Sequence, residues 1–209
     1  MLCFDIETAA DESVIPLLAP MEPDSRLKDP EKIKASVAER TAARLSKLAL
    51  DPDCCRIVAV GCTDAEGVIA VNACEDEEAE KYAIGFLWNQ WAIVGHRPVG
   101  FNCVGFDLPV LIQRSRILRV AYPRVTIRKY GSPDCDDLML DLSFGGLTDY
   151  HSLDFYCRRL ALDVPEDYTS GKDIAALVAS GDWQAVEAHC RADVARTYAL
   201  AQRIYPGVR

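Results

Sequence analysis

The feature that most constrains this chain is a strand-like run near its start, LCFDIET at residues 2–8, which carries two carboxylates one residue apart. Side chains two positions apart in a β-strand point to the same face. Asp5 and Glu7 are therefore expected to project together, while Phe4 and Ile6 pack into a core. Two adjacent anions repel each other, and a hard divalent cation such as Mg²⁺ or Mn²⁺ relieves that repulsion. The alternative for this motif alone is an edge strand with a solvated face.

The composition is that of a globular protein whose partners are not selected by bulk charge. The chain has 209 residues, half of them hydrophobic, which is enough for one domain with a substantial core. A net charge of −9 argues against a protein that coats nucleic acid through general electrostatic attraction. This net charge is still compatible with an enzyme that has one local basic surface for a nucleic-acid strand.

The cysteines indicate an intracellular, reducing location. There are nine, an odd number, with no CxxC motif and no Cys/His cluster at zinc spacing. Cys3, Cys62 and Cys103 lie inside strand-like runs, where a free thiol behaves as a small buried hydrophobe. The acidic N-terminus shows no signal-peptide pattern and no apolar run is long enough to span a bilayer, so no membrane partner is expected.

Residue periodicity and turn signals predict a mixed α/β order, with an antiparallel meander followed by an α/β half. In order along the chain, the predicted elements are strands at residues 2–8, 56–62 and 67–71, a helix at 76–92, a short strand at 98–102, a helix at 107–118, a strand at 138–142 and a mainly helical region at 151–206, broken near Pro165 and Gly181.

A long segment, roughly residues 9–53, separates the first two predicted strands. Its first part is rich in proline, which predicts a loop. From Asp29 an apolar or β-branched residue recurs at every fourth position and Pro30 takes an early-helix position, which predicts a solvated amphipathic helix. We expect residues 1–209 to form a single domain that carries this segment as an insertion.

A second acidic motif, NCVGFDLP at residues 102–109, follows the short predicted strand. A glycine-containing turn leads into a helix that begins at Asp107, where free backbone N–H groups and the helix dipole favour a carboxylate. An ordinary helix cap also explains Asp107 alone. Asn102 alone fits a strand-end residue that bonds its own turn.

A third motif, CRADVART at residues 190–197, lies in the last predicted helix and is preceded by His189. His189 and Asp193 are four positions apart and share a helix face. Beside a metal site, this pair supplies a ligand and a titrating neighbour that activates water. By itself, the pair fits a weak surface ion pair.

In this order, FDIET, NCVGFDLP and CRADVART resemble the three exonuclease motifs of the DEDD 3′-5′ exonucleases. The resemblance is strongest to stand-alone exonucleases similar to the proofreading domain of family B DNA polymerases. It implies an α/β, ribonuclease H-like fold, with a five-stranded mixed sheet of three antiparallel and two parallel strands flanked by helices. It also implies that the metal-binding carboxylates are Asp5, Glu7, Asp107 and Asp193, with two divalent ions, Mg²⁺ or Mn²⁺, as cofactors.

The resemblance also suggests which of the two ions each carboxylate binds. Our hypothesis is that Asp5 bridges both ions. Glu7 and Asp193 hold the ion on the hydroxide side, and Asp107 acts through the other ion, partly by way of water.

His189 departs from the family pattern. The tyrosine branch has Tyr four residues before the last Asp, and the histidine branch has His five residues before it. His189 has the spacing of the first and the side chain of the second, and we interpret it as a substitution at the tyrosine position. A free imidazole has a pKa of about 6.5 against about 10 for a phenol, so it can accept a proton from water directly. The alternative is that His189 only orients water.

A basic block follows the second motif. Residues 108–130 carry six arginine and lysine side chains and no acidic one. We predict that this block lines the approach to the metals and holds backbone phosphates, with a solvated helix face as the alternative. Phe106, Tyr122 and Tyr130 are candidate stacking surfaces, with core packing as the alternative. The residues assigned to substrate binding are Thr8, Asn102, Phe106, Arg124, Arg128 and Lys129.

Together these features predict a metal-dependent 3′-5′ exonuclease that acts on 3′ ends of single-stranded nucleic acid, with DNA favoured over RNA. A setting in DNA repair, replication or a mobile element is expected, with a polymerase or helicase as a candidate partner. Two alternatives stay open. One is an exoribonuclease that uses the same carboxylates, and the other is a non-catalytic nucleic-acid-binding or assembly module with a decayed site.

Overall fold

The strands lie in two small sheets. The structure is a computed structural model that describes residues 1–64, 66–167 and 169–207. Strands β1 (Phe4–Ala10), β2 (Cys55–Thr63) and β3 (Ile69–Ala73) form an antiparallel meander in that order. Strands β4 (Val99–Gly100) and β5 (Asp136–Asp137) pair in parallel. The predicted hairpin of β2 and β3 is confirmed. The predicted antiparallel meander, in which the first strand pairs with this hairpin, is also confirmed.

Seven α-helices lie within the described residues, and the predicted helices at 76–92 and 107–118 are confirmed. The helices are α1 (Pro30–Leu45), α2 (Glu77–Val94), α3 (Asp107–Leu118), α4 (Leu138–Leu142), α5 (Leu153–Arg159), α6 (Ile174–Ser180) and α7 (Trp183–Ile204). Helix α1 begins as predicted, since Asp29 accepts hydrogen bonds from the N–H groups of Glu31 and Lys32 and Pro30 lies in the first turn. Gly181, with a φ of 75°, ends α6 in the left-handed conformation.

The single five-stranded sheet is not confirmed. The five strands have the expected orientations, three antiparallel and two parallel, but they are divided between the two sheets. An isolated bridge between Cys3 and Val99 joins them, with the Val99 N–H donating to the Leu2 carbonyl at 2.9 Å. Strand β4 is short because the chain turns at Asn102, which has a left-handed φ of 58°.

The strand predicted at residues 138–142 is wrong, since this run forms helix α4 and the strand β5 ends just before it. The Asp137 carboxylate caps the helix by accepting the N–H groups of Met139 at 3.0 Å and Leu140 at 3.3 Å. It also accepts the N–H groups of Asn102 and Val104. Asp137 thus fixes the loop that leads into α3.

The meander separates two apolar layers. Phe4 and Ile6 belong to a large buried cluster that includes residues of α2 and α3. A smaller cluster on the opposite side includes Ala59 of β2 and Cys190 of α7. Asp5 and Glu7 point toward this second layer, as the strand alternation predicts. No helix within the described residues is both long and apolar enough to cross a membrane.

Helix α7 lies very close to the meander at Gly61, the residue that pairs with Asp5 across β1 and β2. Cross-strand partners point to the same face of a sheet. A Cβ atom on Gly61 would lie 2.8 Å from both the Cys190 Sγ and the Val194 Cγ2 of α7. The missing side chain therefore lets the helix that carries His189 and Asp193 approach the strand that carries Asp5.

Replacing Gly61 with alanine is expected to push α7 away from the meander and to lower the free energy of unfolding by about 1–3 kcal/mol, the usual effect of overpacking. Gly85→Ala is the matched control. Gly85 lies within α2, where an added Cβ would meet only Val120 Cγ1 at 3.9 Å. Removing this helical glycine is expected to stabilise the protein by about 0.5–1 kcal/mol. Denaturant unfolding compares the two variants, and a similar effect of both would contradict the close approach of α7.

Candidate active site

Strand β1 and helices α3 and α7 bring four carboxylates into one cleft. Asp5 and Glu7 come from β1, Asp107 is the first residue of α3, and Asp193 lies in the middle of α7. All four line an open cleft of about 430 Å³, together with His189 and other residues. The structure thus brings together the residues that the sequence analysis assigned to the metals. Their role in binding ions stays a prediction.

The donor atoms are close enough to share a cation. One ligand atom from each of Glu7, His189 and Asp193 lies within 4.8 Å of the others, and the same holds for Asp5, Glu7 and Cys190. Carboxylate oxygens suit Mg²⁺ and Mn²⁺, whereas a thiol does not. Burial raises the pKa of the Cys190 thiol well above its usual range, so this side chain remains a neutral packing group.

Burial raises the pKa values of all four carboxylates, and repulsion by neighbouring carboxylates adds to the rise. Burial is the largest cause for Asp5 and Glu7, and the charges of the neighbouring carboxylates add to it. Burial also raises the pKa of Asp107 to about 7, although backbone hydrogen bonds at Asp107 and Ile6 oppose the rise. For Asp193, burial raises the pKa while His189 and Arg196 oppose the rise. The cluster therefore resists full ionisation unless positive charge enters it.

His189 is buried and contacts a carboxylate from each side of its ring. Its Nδ1 lies 2.5 Å from Asp167 Oδ2, and its Nε2 lies 3.4 Å from Glu7 Oε1 and 3.9 Å from Asp193 Oδ2. Burial opposes the ionisation of Asp167, but hydrogen bonds from the Thr169 backbone and from His189 hold its pKa below the usual range. An ionised Asp167 only accepts hydrogen bonds. Nδ1 therefore donates to it, and Nε2 is the ring nitrogen on the side of Glu7 and Asp193.

Arg196 contacts both Asp167 and Asp193, the carboxylates near the two nitrogens of the His189 ring. Its Nη1 lies 3.1 Å from Asp193 Oδ1 and 3.8 Å from Asp167 Oδ2, and its Nη2 donates to the Pro165 carbonyl at 3.2 Å. The sequence motifs predict no role for Arg196 or Asp167. Arg196 lies three residues after Asp193 in the third motif, which is a usable local signal. Asp167 is 22 residues from His189 in a loop, where nothing local marks it.

The residues assigned to substrate binding lie in different places. Asn102 and Phe106 line the cleft. Arg128 and Lys129 line an adjoining depression, which shares Asn102 and Met139 with the cleft.

The other two lie outside both surfaces. Arg124 is exposed and lines neither the cleft nor the depression. Thr8 is buried and donates from its Oγ1 to the Ala49 carbonyl at 2.7 Å. This contact joins β1 to the inserted segment.

The basic block does not form one continuous surface, and its prediction as a phosphate-binding track is wrong for Arg114. This side chain is buried, and its Nε and Nη2 each donate to the Glu80 carboxylate at 2.7 Å. Its Nη1 contacts Asp11 at 3.1 Å. Because Glu80 lies in α2 and also accepts the Ile57 N–H of β2, Arg114 holds α3 against these elements.

The two tyrosines proposed as stacking surfaces also differ. Tyr122 packs against Trp88, with ring centroids 6.3 Å apart, as part of the large buried cluster. Tyr130 is 63% exposed, and the Lys129 Nζ lies 5.1 Å from the centre of its ring. Core packing therefore accounts for Tyr122, while Tyr130 has an accessible face.

Similarity to known proteins agrees with the motif resemblance. Residues 50–205 match a family described as predicted 3′-5′ exonuclease related to the exonuclease domain of PolB. No curated protein matches the chain. Among solved structures, the chain resembles the family B DNA polymerase of the hyperthermophilic archaeon Pyrobaculum calidifontis, with a TM-score of 0.62 and 16% sequence identity. That likeness, which concerns the fold, covers 98% of this chain and only 24% of the polymerase chain. Because the family match extends over most of its length, this chain belongs to the family of predicted 3′-5′ exonucleases related to the exonuclease domain of PolB.

Proposed function

We propose that this chain hydrolyses phosphodiester bonds at the 3′ ends of single-stranded DNA, with two divalent metal ions held by Asp5, Glu7, Asp107 and Asp193. The observation that carries this proposal is the convergence of four carboxylates with raised pKa values in one open cleft. Membership of a 3′-5′ exonuclease family supports the reaction type.

The donor set fits hard divalent cations. Each of the four side chains offers carboxylate oxygens, the ligands that Mg²⁺ and Mn²⁺ prefer, and a cation would relieve the repulsion that raises their pKa values. When bound, a pair of such ions supplies a hydroxide nucleophile at neutral pH and stabilises charge on the phosphate and the leaving oxygen. Our hypothesis keeps Asp5 as the bridging ligand.

In this proposal, His189 contacts the attacking water beside Glu7, and Asp167 holds the His189 ring in place. When its Nδ1 donates to Asp167, a neutral imidazole has its Nε2 available to accept a hydrogen bond or a proton. Accepting a proton from water and orienting that water both require this nitrogen to be free. Asp167 acts through His189 and is a positioning residue.

The strand is proposed to leave the cleft past Asn102 and Met139, into the depression lined by Arg128 and Lys129. There the two cations hold backbone phosphates. The proposal includes an intracellular, reducing setting, which the nine buried cysteines without disulfides support. It also includes a polymerase or helicase partner.

Asp5→Asn and Asp107→Asn are each expected to slow nucleotide release from 5′-labelled single-stranded DNA by more than about 100-fold. Loss of a residue that merely supports a metal ligand costs about 10–100-fold, and loss of the ligand itself must cost more. Glu187→Gln, a carboxylate on α7 outside the cleft, is the matched control and should retain activity. The assay compares single- and double-stranded DNA and RNA with Mg²⁺ and with Mn²⁺.

The same assay separates the alternatives. Cleavage of RNA with DNA left intact would replace the proposal with an exoribonuclease. Absence of cleavage on every substrate, together with no heat of Mn²⁺ binding in calorimetry, would identify a non-catalytic module. Undiminished activity of Asp5→Asn or Asp107→Asn would refute the assignment of the metal ligands.

Without divalent ions, the free energy of unfolding is expected to fall as the pH rises through the acidic range. A carboxyl group in the unfolded chain ionises near pH 4, whereas Asp107 in the folded protein has a pKa of about 7. Between these values the folded state binds more protons than the unfolded state, so stability decreases with pH. Asp107→Asn should flatten this dependence in EDTA, as measured by thermal unfolding at several pH values.

A companion measurement links this repulsion to metal binding. Asp5→Asn should raise the Tm in EDTA at neutral pH, because it removes one of the mutually repelling charges. It should also reduce the increase in Tm that Mn²⁺ produces, since a ligand that binds the folded state less tightly stabilises it less. A lower Tm in EDTA, or an unchanged response to Mn²⁺, would contradict the proposed site.

Arg128→Glu is expected to weaken binding of single-stranded DNA and to reduce the slope of log K against log salt by about 0.7, the value for one phosphate contact. Arg124→Glu carries the same charge change at an exposed position outside the depression. It should have a clearly smaller effect. Fluorescence anisotropy of a labelled oligonucleotide measures both, and equal effects would argue against the route through the depression.

A further inference from the structure

Four aromatic rings lie in continuous contact, and the two at the ends of the series line the cleft. Phe101, which lines the cleft, meets Tyr156 edge-on with ring centroids 6.4 Å apart. Tyr156 meets Phe155 at 5.3 Å and 82°, and Phe155 lies nearly parallel to His151, at 4.1 Å and 21°. Edge-to-face and parallel contacts of this kind stabilise the rings in fixed positions. The orientation of the His151 ring is therefore set by its neighbours.

The start of α5 fixes the spacing of this pair. The Ser152 hydroxyl accepts the Phe155 N–H at 3.1 Å, which caps the helix directly after His151. His151 and Phe155, four residues apart, then stack on each other at the helix start. The ring pair is thus part of a capped helix terminus.

His151 occupies the junction between the cleft and the adjoining depression. It is exposed and lines the cleft, together with Asp5 and Asp107. The preceding residue, Tyr150, is 52% exposed and lines the depression beside Arg128. The ring therefore lines the same cleft as the carboxylates, and the next residue back along the chain lines the depression that carries the cations.

We propose that the His151 ring, backed by Phe155, is a stacking platform for an unpaired nucleobase next to the phosphodiester held at the four carboxylates. This inference rests on the proposed function and names the feature that selects single-stranded ends. A base within a duplex is covered by its stacked neighbours, whereas an unpaired base has a free face. Stacking on aromatic side chains is tolerant of sequence and contributes about 1–3 kcal/mol per base.

The charge of the protein favours a contact of this type. The chain carries a net charge of −9, and the cleft itself is lined by carboxylates. General attraction of a polyanion is therefore weak. Stacking requires no positive charge, so it supplies affinity at a place where phosphate contacts are electrostatically unfavourable.

The test measures binding of a short, 5′-labelled single-stranded oligonucleotide by anisotropy, in the Asp5→Asn background to prevent cleavage. His151→Ala is expected to weaken binding by about 5- to 150-fold, which corresponds to about 1–3 kcal/mol. His151→Phe, which keeps a flat ring, should retain most of the affinity. Phe155→Ala should weaken binding to a smaller extent, because the His151 ring loses its backing.

Tyr82→Ala is the matched control. Tyr82 is 65% exposed on α2, and it stacks on Phe86 four residues later with ring centroids 6.5 Å apart and an angle of 23°. It lies outside the cleft and the depression. Its removal should leave binding unchanged, so a general effect of deleting an exposed aromatic residue would be detected here.

A second oligonucleotide identifies the contact as one to a base. An abasic nucleotide near the 3′ end should weaken binding to the Asp5→Asn protein about as much as His151→Ala does. It should have little further effect on the protein that already carries His151→Ala. Thermal unfolding of each variant checks that the folded state is retained.

The outcomes separate this inference from the proposed function. Unchanged affinity of His151→Ala, with DNA cleavage by the unsubstituted chain intact, overturns the platform alone. A loss in His151→Phe as large as in His151→Ala also overturns it, because the contact would then be polar. Absence of DNA binding in the Asp5→Asn protein and of cleavage by the unsubstituted chain overturns both.

Discussion

The repulsion among four buried or half-buried carboxylates is the unfavourable interaction that the surrounding fold must overcome. Apolar packing on both sides of β1 holds the charges together. Phe4 and Ile6 anchor one side in the large buried cluster, and on the other side the missing side chain of Gly61 admits α7. Burial then makes ionisation costly, which raises the pKa values of the cluster. The fold therefore maintains a site that resists full ionisation unless positive charge enters it.

The arrangement around His189 has a simple physical reason. A buried phenol carries one polar atom, whereas a buried imidazole carries two nitrogens on opposite sides of its ring, and both need partners. Asp167 satisfies Nδ1, which leaves Nε2 toward Glu7. Arg196 in turn contacts both Asp167 and Asp193. Asp167 is thus the partner that the buried imidazole needs at Nδ1, and Arg196 offsets its charge.

Local signals in the sequence predicted most elements, whereas the roles of Arg114 and Asp167 depend on distant contacts. The alternation around Asp5 and the helix start at Asp107 depend on adjacent residues, and both were predicted. The apolar run at 138–142 does not by itself distinguish a strand from a helix. The cap by Asp137 favours the helix, α4. The burial of Arg114 depends on Glu80, 34 positions away. The role of Asp167 depends likewise on a contact that only the folded chain creates.

Net charge and site geometry together constrain how the proposed substrate is held. The buried pair of Arg114 and Glu80 removes one cation from the basic block, and Arg128 and Lys129 remain beside the cleft in the adjoining depression. Few phosphates can then be neutralised, so long-range attraction contributes little to affinity. Short-range contacts with the bases must supply the rest, and they require bases that are not already stacked in a duplex. The same scarcity of positive charge that limits non-specific binding therefore favours unpaired ends.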